Sequence, residues 1–403
     1  MSSGRPLTFL QSSDWHLGSA LTGGGLSFTP ETRASRRDEV DAAAERAVAA
    51  AISCGAEALL VPGDLWDAEN VPPATIHRLL EAFASFAPRT VFVAPGNHDF
   101  AGPGGYYDPA LLAALGMRPW PDNVVVFRSP EWTAVPFPAR DDVTVVGRAF
   151  LSSAAVVERP LAPAPPRPST PHALLLLHGS LESYAGADSP MGTKRTAPFS
   201  AEELTGAGFS WAALGHHHHD HVVVDADGRP RGAYAGCPTG RGLDEAGPRF
   251  FLKVTLPSDG SPIVVEKVPA DARVVRDLVV DVSDLEPGPL AEKVEAAFRE
   301  AGVEAPDLVR VTLKGTQVYG ARPADILKPL VLRVKHLHVR DETEPPAPDS
   351  GPRSAEGRFA ADLQAHRTAA ADDAQRRVAD LALRLGRDAL LGRPIRPPEA
   401  EDR

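Results

Sequence analysis

The chain has 403 residues, 43% of them hydrophobic and 24% charged, with a formal net charge of −11. That length suits one large domain plus a smaller one, and the acidic balance argues against the broad basic face of a stand-alone nucleic-acid binder. The two cysteines, Cys54 and Cys237, make no disulfide framework and fit a reducing compartment. No run approaches the ~18 apolar residues of a membrane span, and the N-terminal residues lack a signal-peptide core, so a cytoplasmic location without membrane contact is expected.

Taken in order, Leu7–Ser13 reads as a first strand that ends in Asp14-Trp15-His16. A Gly-rich loop follows, then a helix over residues 35–54, on which Val40, Ala44, Ala47, Val48, Ala51 and Ile52 keep the i, i+3/i+4 spacing. Ala58–Val61 is a short strand ending in Pro62-Gly63-Asp64. A helix over 73–86 opens on Pro72-Pro73, and the strand Thr90–Ala94 runs into Gly96-Asn97-His98-Asp99. Strand, helix, strand, helix, strand implies right-handed crossovers and a parallel first half of a sheet.

From residue 122 the texture becomes β-rich: Val124–Phe127, Trp132–Val135, Val143–Ala149, then Ala173–Leu177 ending in His178-Gly179. Ser200 and Glu203 form a capping box for a helix over 200–206. Phe209–Leu214 leads into Gly215-His216-His217-His218, and Val222–Val224, Arg231–Ala235 and Phe250–Leu256 complete this half. The pattern restarts after residue 265 with strand Val274–Val282, helix Pro289–Ala301, strand Leu308–Leu313, a short helix over 324–330 and strand Leu332–Val339. The expected organisation is a catalytic domain over 1–265, a small α+β domain over 270–340, a loose linker over 341–371 and an amphipathic helix over 372–392 striped by Val378, Leu381, Leu385 and Leu391.

Five apolar runs thus end in metal-grade polar residues: Asp14 and His16, Asp64, Asn97 with His98, His178, and His216 with His218. All the donors are oxygen or imidazole, which selects Mn²⁺, Fe²⁺ or Zn²⁺ over a thiolate site. The seven donors Asp14, His16, Asp64, Asn97, His178, His216 and His218 are too many for one tetrahedral ion and fit two ions sharing a carboxylate. Two such ions ~3.5–4 Å apart clamp a phosphoryl group and acidify a water to the attacking hydroxide. His98 is the candidate for assisting the leaving oxygen, and Asp99 is the residue expected to orient it. Lys194, Arg195 and Arg241 are loop cations able to track phosphates; Arg241, after Gly240, is read as substrate-binding.

These five blocks, in this order, resemble the signature of the calcineurin-like metallophosphoesterases over residues 6–256. The resemblance implies a four-layer α/β/β/α sandwich. It also implies one ion on Asp14, His16, Asp64 and His218 and a second on Asp64, Asn97, His178 and His216, with Mn²⁺ the expected metal and Fe or Zn the alternatives. His98 would contact the scissile phosphate. Ser12-Ser13-Asp14-Trp15-His16-Leu17-Gly18, Gly63-Asp64-Leu65-Trp66-Asp67 and Tyr234–Arg241 followed by Glu245-x-Gly247 are similar to the SbcD-type DNA repair exonucleases. By that likeness the domain over 270–340 is a capping domain restricting DNA access. The C-terminal helix would bind an SMC-like ATPase of the SbcC type, and the protein would be a homodimer. The chain departs from that family at His217, where a bulky or acidic residue is usual.

The leading expectation is therefore a metal-dependent nuclease acting on DNA ends in repair. A small-molecule phosphodiesterase or phosphoprotein phosphatase on the same site, and a metal-binding scaffold subunit without nuclease activity, are the competing readings.

Overall fold

The computed structural model describes residues 5–67, 71–154, 158–185, 196–283, 285, 289–316, 323–344, 354–390 and 395. The chain divides into two compact units, Met1–Gly24 with Phe28–Val275, and Gly25–Ser27 with Arg276–Arg403.

The first unit runs β1 (Leu7–Gln11), α1 (Pro30–Asp41), α2 (Ala43–Ser53), β2 (Ala58–Val61), α3 (Pro73–Ser85), β3 (Thr90–Val93), α4 (Pro109–Ala114) and β4 (Val124–Val126). It continues with β5 (Thr133–Pro136), β6 (Val143–Gly147), β7 (His172–His178), α5 (Ala201–Gly206), β8 (Trp211–Gly215), β9 (His221–Val224), β10 (Pro230–Tyr234), β11 (Phe250–Leu256) and β12 (Val264–Pro269). Among the described residues these strands form two six-stranded sheets, ordered β12-β11-β1-β2-β3-β4 and β5-β6-β7-β8-β10-β9.

The period of two along each central strand decides the layers. In β2, Ala58 and Leu60 face the second sheet, sharing a core with Leu174 and Leu176 of β7 and Trp211 and Ala213 of β8. Leu59 and Val61 face the other way, against Ala44, Ala47 and Val48 of α2 and Leu79, Leu80 and Phe83 of α3. Leu175, Leu177, Ala212 and Leu214 form the far side of the second sheet, under Leu204 of α5 and Phe199. Strands that are apolar on both faces are the mark of sheets covered on both sides. The result is the four-layer α/β/β/α sandwich expected from the sequence, with its fourth layer built from one short helix and loops.

The sheets are tied by one polar residue. Gln11, fully buried at the end of β1, donates to the carbonyl of Ala233 at 2.6 Å and accepts from the Trp211 indole at 3.0 Å. A buried amide costs free energy unless bonded, so these contacts fix the register of the two sheets where the strand ends meet.

Several elements differ from the sequence reading. The helix expected over 35–54 is two helices, starting earlier at Pro30 behind a Thr29 cap and breaking at Ala42. At the break Asp41 turns inward, accepting from the Gly18 amide and the Thr75 hydroxyl. β11 does not complete the second sheet: it pairs antiparallel with β1, and β12, an edge strand with little burial, extends the first sheet beyond it.

The second unit contains β13 (Val275–Asp281), α6 (Leu290–Glu300), β14 (Leu308–Lys314), the single turns α7 (Pro323–Ile326) and α8 (Lys328–Val331), β15 (His336–Asp341), α9 (Ala355–Ala369) and α10 (Asp373–Leu390). Its sheet is ordered β13-β14-β15, with Leu290, Val294 and Phe298 of α6 packed on Val280, Val309 and Val311. Residues 355–369, expected as loose linker, form α9 instead, started by Ser354 accepting from the Gly357 amide. The segment has no apolar stripe, so periodicity missed it. Good helix formers such as Ala, Glu, Arg and Gln hold it, and it lies against α10 through the ion pairs Arg367–Asp380 and Arg387–Glu356. No helix among the described residues is long and apolar enough to cross a membrane.

One close approach sets the geometry of the first unit's strand ends. Gly63, at φ +93°, has the amide of Gly96 and the His178 ring where a Cβ would stand, both at 2.7 Å. Gly63→Ala is expected to lower stability by at least ~1–3 kcal/mol from the left-handed backbone alone, read as a lower urea midpoint with unchanged m-value. A neutral effect would show that the strand ends can separate without cost.

Candidate metal centre

Five loops at the ends of β1, β2, β3, β7 and β8 supply the site. Four of its side chains hang from strained backbone: Asp14, His16, Asp64 and His216 have φ of 55°, 48°, 54° and 112°. Non-glycine residues in this region cost ~1–3 kcal/mol each and persist only where surrounding contacts over-determine them. Those contacts are on hand: the amide of Asp14 donates to Gly63 O and that of His16 to Asp64 O, each at 3.1 Å, and the His216 amide donates to Asp14 Oδ1 at 2.9 Å.

The expected donors fall in two groups. Asp14, His16 and His218 form one, and Asp64, His178 and His216 the other, with the donor atoms of each within 4.8 Å of one another; a third such group joins His16 to Asp67 and His98. Asp64 stands between them: its Oδ2 is 3.3 Å from His178 Nε2 and 4.0 Å from His16 Nε2, and its Oδ1 accepts from the His98 amide at 2.9 Å. Asn97 Oδ1 lies 3.1 Å from His178 Nε2.

The ring contacts suit a metal centre. His16 Nδ1 is 2.7 Å from Asp67 Oδ1 and His218 Nδ1 is 2.9 Å from Glu245 Oε1. Each Nδ1 thus has a carboxylate to donate to, which turns each Nε2 inward. The two Nε2 atoms face each other at 3.2 Å, close enough to share a proton or a cation. His178 has Nδ1 on the Pro62 carbonyl at 2.9 Å and Nε2 aimed at the oxygens of Asn97 and Asp64, where it donates when the ring is protonated. The donor set is hard to borderline, without sulfur, and fits divalent ions held in two places.

The electrostatics agree. Burial works against a charged His178, but the Asp64 carboxylate outweighs it and pushes the ring up to about 9. The same contact holds Asp64 well below the usual carboxylate range despite its burial. Burial pushes Asp14 up to about 6 and His16 down to about 4.

Two expectations change. Asp99 does not orient His98. Its buried carboxylate accepts from the amides of Asp64, Leu65 and Gly96 and from the Tyr107 hydroxyl, folding back to staple two strand-end turns together. Asp67 takes that place, with Oδ1 3.2 Å from His98 Nδ1 while also holding His16. Arg241 is not a free loop cation: its guanidinium is committed to Glu245, and its side chain is 15% exposed. Lys194 and Arg195 lie outside the described residues.

The histidine run resolves in one register. His216 joins the Asp64 group and His218 the Asp14 group. His217 between them stacks on Tyr184 with ring centroids 3.8 Å apart, and His219 Nε2 meets the Asp244 carbonyl at 2.7 Å. With His217 turned onto Tyr184, the first and third histidines reach the same cavity and the second does not.

Because His178 holds its proton at neutral pH in the metal-free protein, a cation taking its Nε2 must displace that proton. Titration of metal-free protein with Mn²⁺ at pH 7.5, in buffers of different ionisation enthalpy, should show release of about one proton, and apparent affinity should rise roughly tenfold per pH unit up to about pH 9. Uptake without proton release would remove His178 from the donor set.

Among curated proteins no significant match to the chain is found. The family model described as calcineurin-like phosphoesterase matches residues 7–220, a span that holds every donor named above. With more than half of its length matched and its strand-end donors converging in two groups, the chain belongs to the calcineurin-like phosphoesterases.

Proposed function

We propose that this phosphoesterase is a metal-dependent DNA nuclease that hydrolyses phosphodiester bonds at DNA ends, with Asp14, His16, Asp64, Asn97, His178, His216 and His218 as the ligands of two divalent ions, Mn²⁺ first among them. When bound, the ions supply Lewis-acid polarisation of the phosphoryl oxygens and an acidified water.

The observation that carries the chemistry is His98. Its side chain is 48% exposed beside a nearly closed donor set, and its Nδ1 rests on Asp67. That leaves Nε2 for a substrate oxygen. The hydrogen bond to Asp67 raises the His98 pKa above its ordinary value, which favours the protonated ring that can donate to the departing alkoxide. Asp67 sits far below the usual carboxylate range, burial being outweighed by its bonds to His16 and His98, and stays ionised to hold both rings.

The DNA assignment rests on the likeness of the Ser12–Gly18, Gly63–Asp67 and Tyr234–Gly247 stretches to repair exonucleases, and on a second folded unit with its own core. A small substrate would not call for that unit as a cap. The helix α10 leaves Val378 67% exposed and Leu390 49% exposed, which supports docking of an SMC-like ATPase. A homodimer and a cytoplasmic location belong to the same reading. The net charge of −11 favours the second reading, a small-molecule phosphodiesterase.

The test is hydrolysis of end-labelled single- and double-stranded DNA with Mn²⁺, set against bis-p-nitrophenyl phosphate. His98→Ala should lower DNA cleavage by about 10²–10⁴-fold with metal content retained. The alkaline limb of the wild-type profile should follow loss of the His98 proton, above pH 6.5, and move to lower pH in Asp67→Asn. Turnover of the small diester with no cutting of DNA would replace the nuclease by the second reading.

A further inference from the structure

One group beside the centre has no role in the chemistry above. Glu245, in the loop between β10 and β11, is buried, its side chain 2% exposed. A buried carboxylate this close to a cation site is costly unless its charge is matched. It touches none of the ligands of the Asp64 group. It accepts from His218 Nδ1 at 2.9 Å, from the Arg241 amide at 2.7 Å, and from the Arg241 guanidinium through Nε at 3.1 Å and through a second, short contact.

The loop that carries it is held rigidly. Arg36, itself buried, donates from its guanidinium to the Gly240 carbonyl at 2.6 Å and is paired with Asp271, whose carboxylate accepts from the Gly240 amide at 3.0 Å. Arg46 donates to the Thr239 hydroxyl. On the other side Arg249 donates to the His218 carbonyl and to the Ala246 carbonyl, both at 2.7 Å. The same loop thus grips His218 twice, by backbone and by ring. Nothing comparable holds His216, whose amide answers to Asp14 and whose ring packs edge-on to His178 at 5.3 Å.

We propose that Glu245 and Arg241 act as one positioning clamp for a single ligand. Glu245 fixes the His218 tautomer with Nδ1–H inward and Nε2 toward Asp14 and His16, and Arg241 neutralises the carboxylate so that it orients the ring without adding net charge. The clamp acts on the Asp14–His16–His218 ion and not on the Asp64–His178–His216 ion. This explains why Arg241, a loop cation after a glycine, faces Glu245 and not a substrate phosphate. The inference rests on the metal-centre reading above.

Arg241 Nη2 also lies 3.2 Å from His218 Nδ1, so both members of the clamp border the ring. The test reads metal, not DNA. Metal-free wild type, Glu245→Gln and Glu245→Asp would be titrated with Mn²⁺, following each binding step by calorimetry and by the electron paramagnetic resonance of free Mn²⁺, with thermal unfolding as the control for fold. Glu245→Gln keeps the volume and one acceptor but loses the charge, and losses of about 10–100-fold in affinity are usual when such an outer partner is altered. The expected result is that loss in one of two binding steps, the other within about twofold of wild type, with partial recovery in Glu245→Asp. Equal weakening of both steps would mean general damage and would overturn the clamp, as would unchanged affinity in both variants. Should wild type itself fail to bind two ions, the centre and not the clamp would be at fault.

Discussion

The carboxylate of Asp64 is the point on which the structure depends. It is buried in the first unit, and a buried unpaired charge is not tolerated at a cost a fold can meet. Its surroundings answer that: a backbone amide from His98 on one oxygen, and the His178 ring on the other. To bring those partners within reach, β2, β3 and β7 must end within a few ångströms of each other. The glycines at those ends follow from this. A Cβ on Gly63 or Gly96 would stand within 3 Å of backbone or of the His178 ring, and one on Gly215 would collide with the Pro62 carbonyl.

The left-handed backbone at Asp14, His16 and Asp64 is the complement of that crowding. Each of these residues lies just beyond its strand, where the two segments still run side by side as far as the parallel bridge between Leu17 and Trp66. Amides bonded across from one segment to the other hold the left-handed backbone in place. Asp99 completes the arrangement by gathering three amides and a tyrosine hydroxyl. Burial pushes that carboxyl up to about 6, so ionising it costs the fold, and the three amides and the hydroxyl offset that cost in part.

What could be read in the sequence and what could not divides along the same physical line. Strands buried on both faces are continuous apolar runs, and polar residues at their ends are conspicuous, so β1, β2, β3, β7 and β8 and the donors after them were legible. Asp67 was not, because its meaning arises only when His16 and His98 are brought to its two sides from loops 51 and 31 residues away. Asp99 looked like a partner for His98 by adjacency, yet consecutive residues in a tight turn point apart. Arg241 looked free because Glu245, four residues on, becomes its partner only through the turn of that loop. α9 and β12 were missed because neither has the apolar periodicity by which buried elements announce themselves.

Electrostatics bears on how an acidic chain engages a phosphoester. Asp14, Asp64, Asp67 and Glu245 line or adjoin the centre, and Arg241 is the one guanidinium bonded among them. Without cations such a pocket repels phosphate, and His178, raised by the Asp64 carboxylate, holds a proton that offsets part of that field. Two divalent ions would bring four positive charges against the four carboxylates, leaving the guanidinium in excess. The local sign then inverts although the net charge of the chain stays near its sequence value. Affinity for phosphate and the chemistry on it are therefore properties of the same ions, and no basic groove elsewhere is required for the first contact.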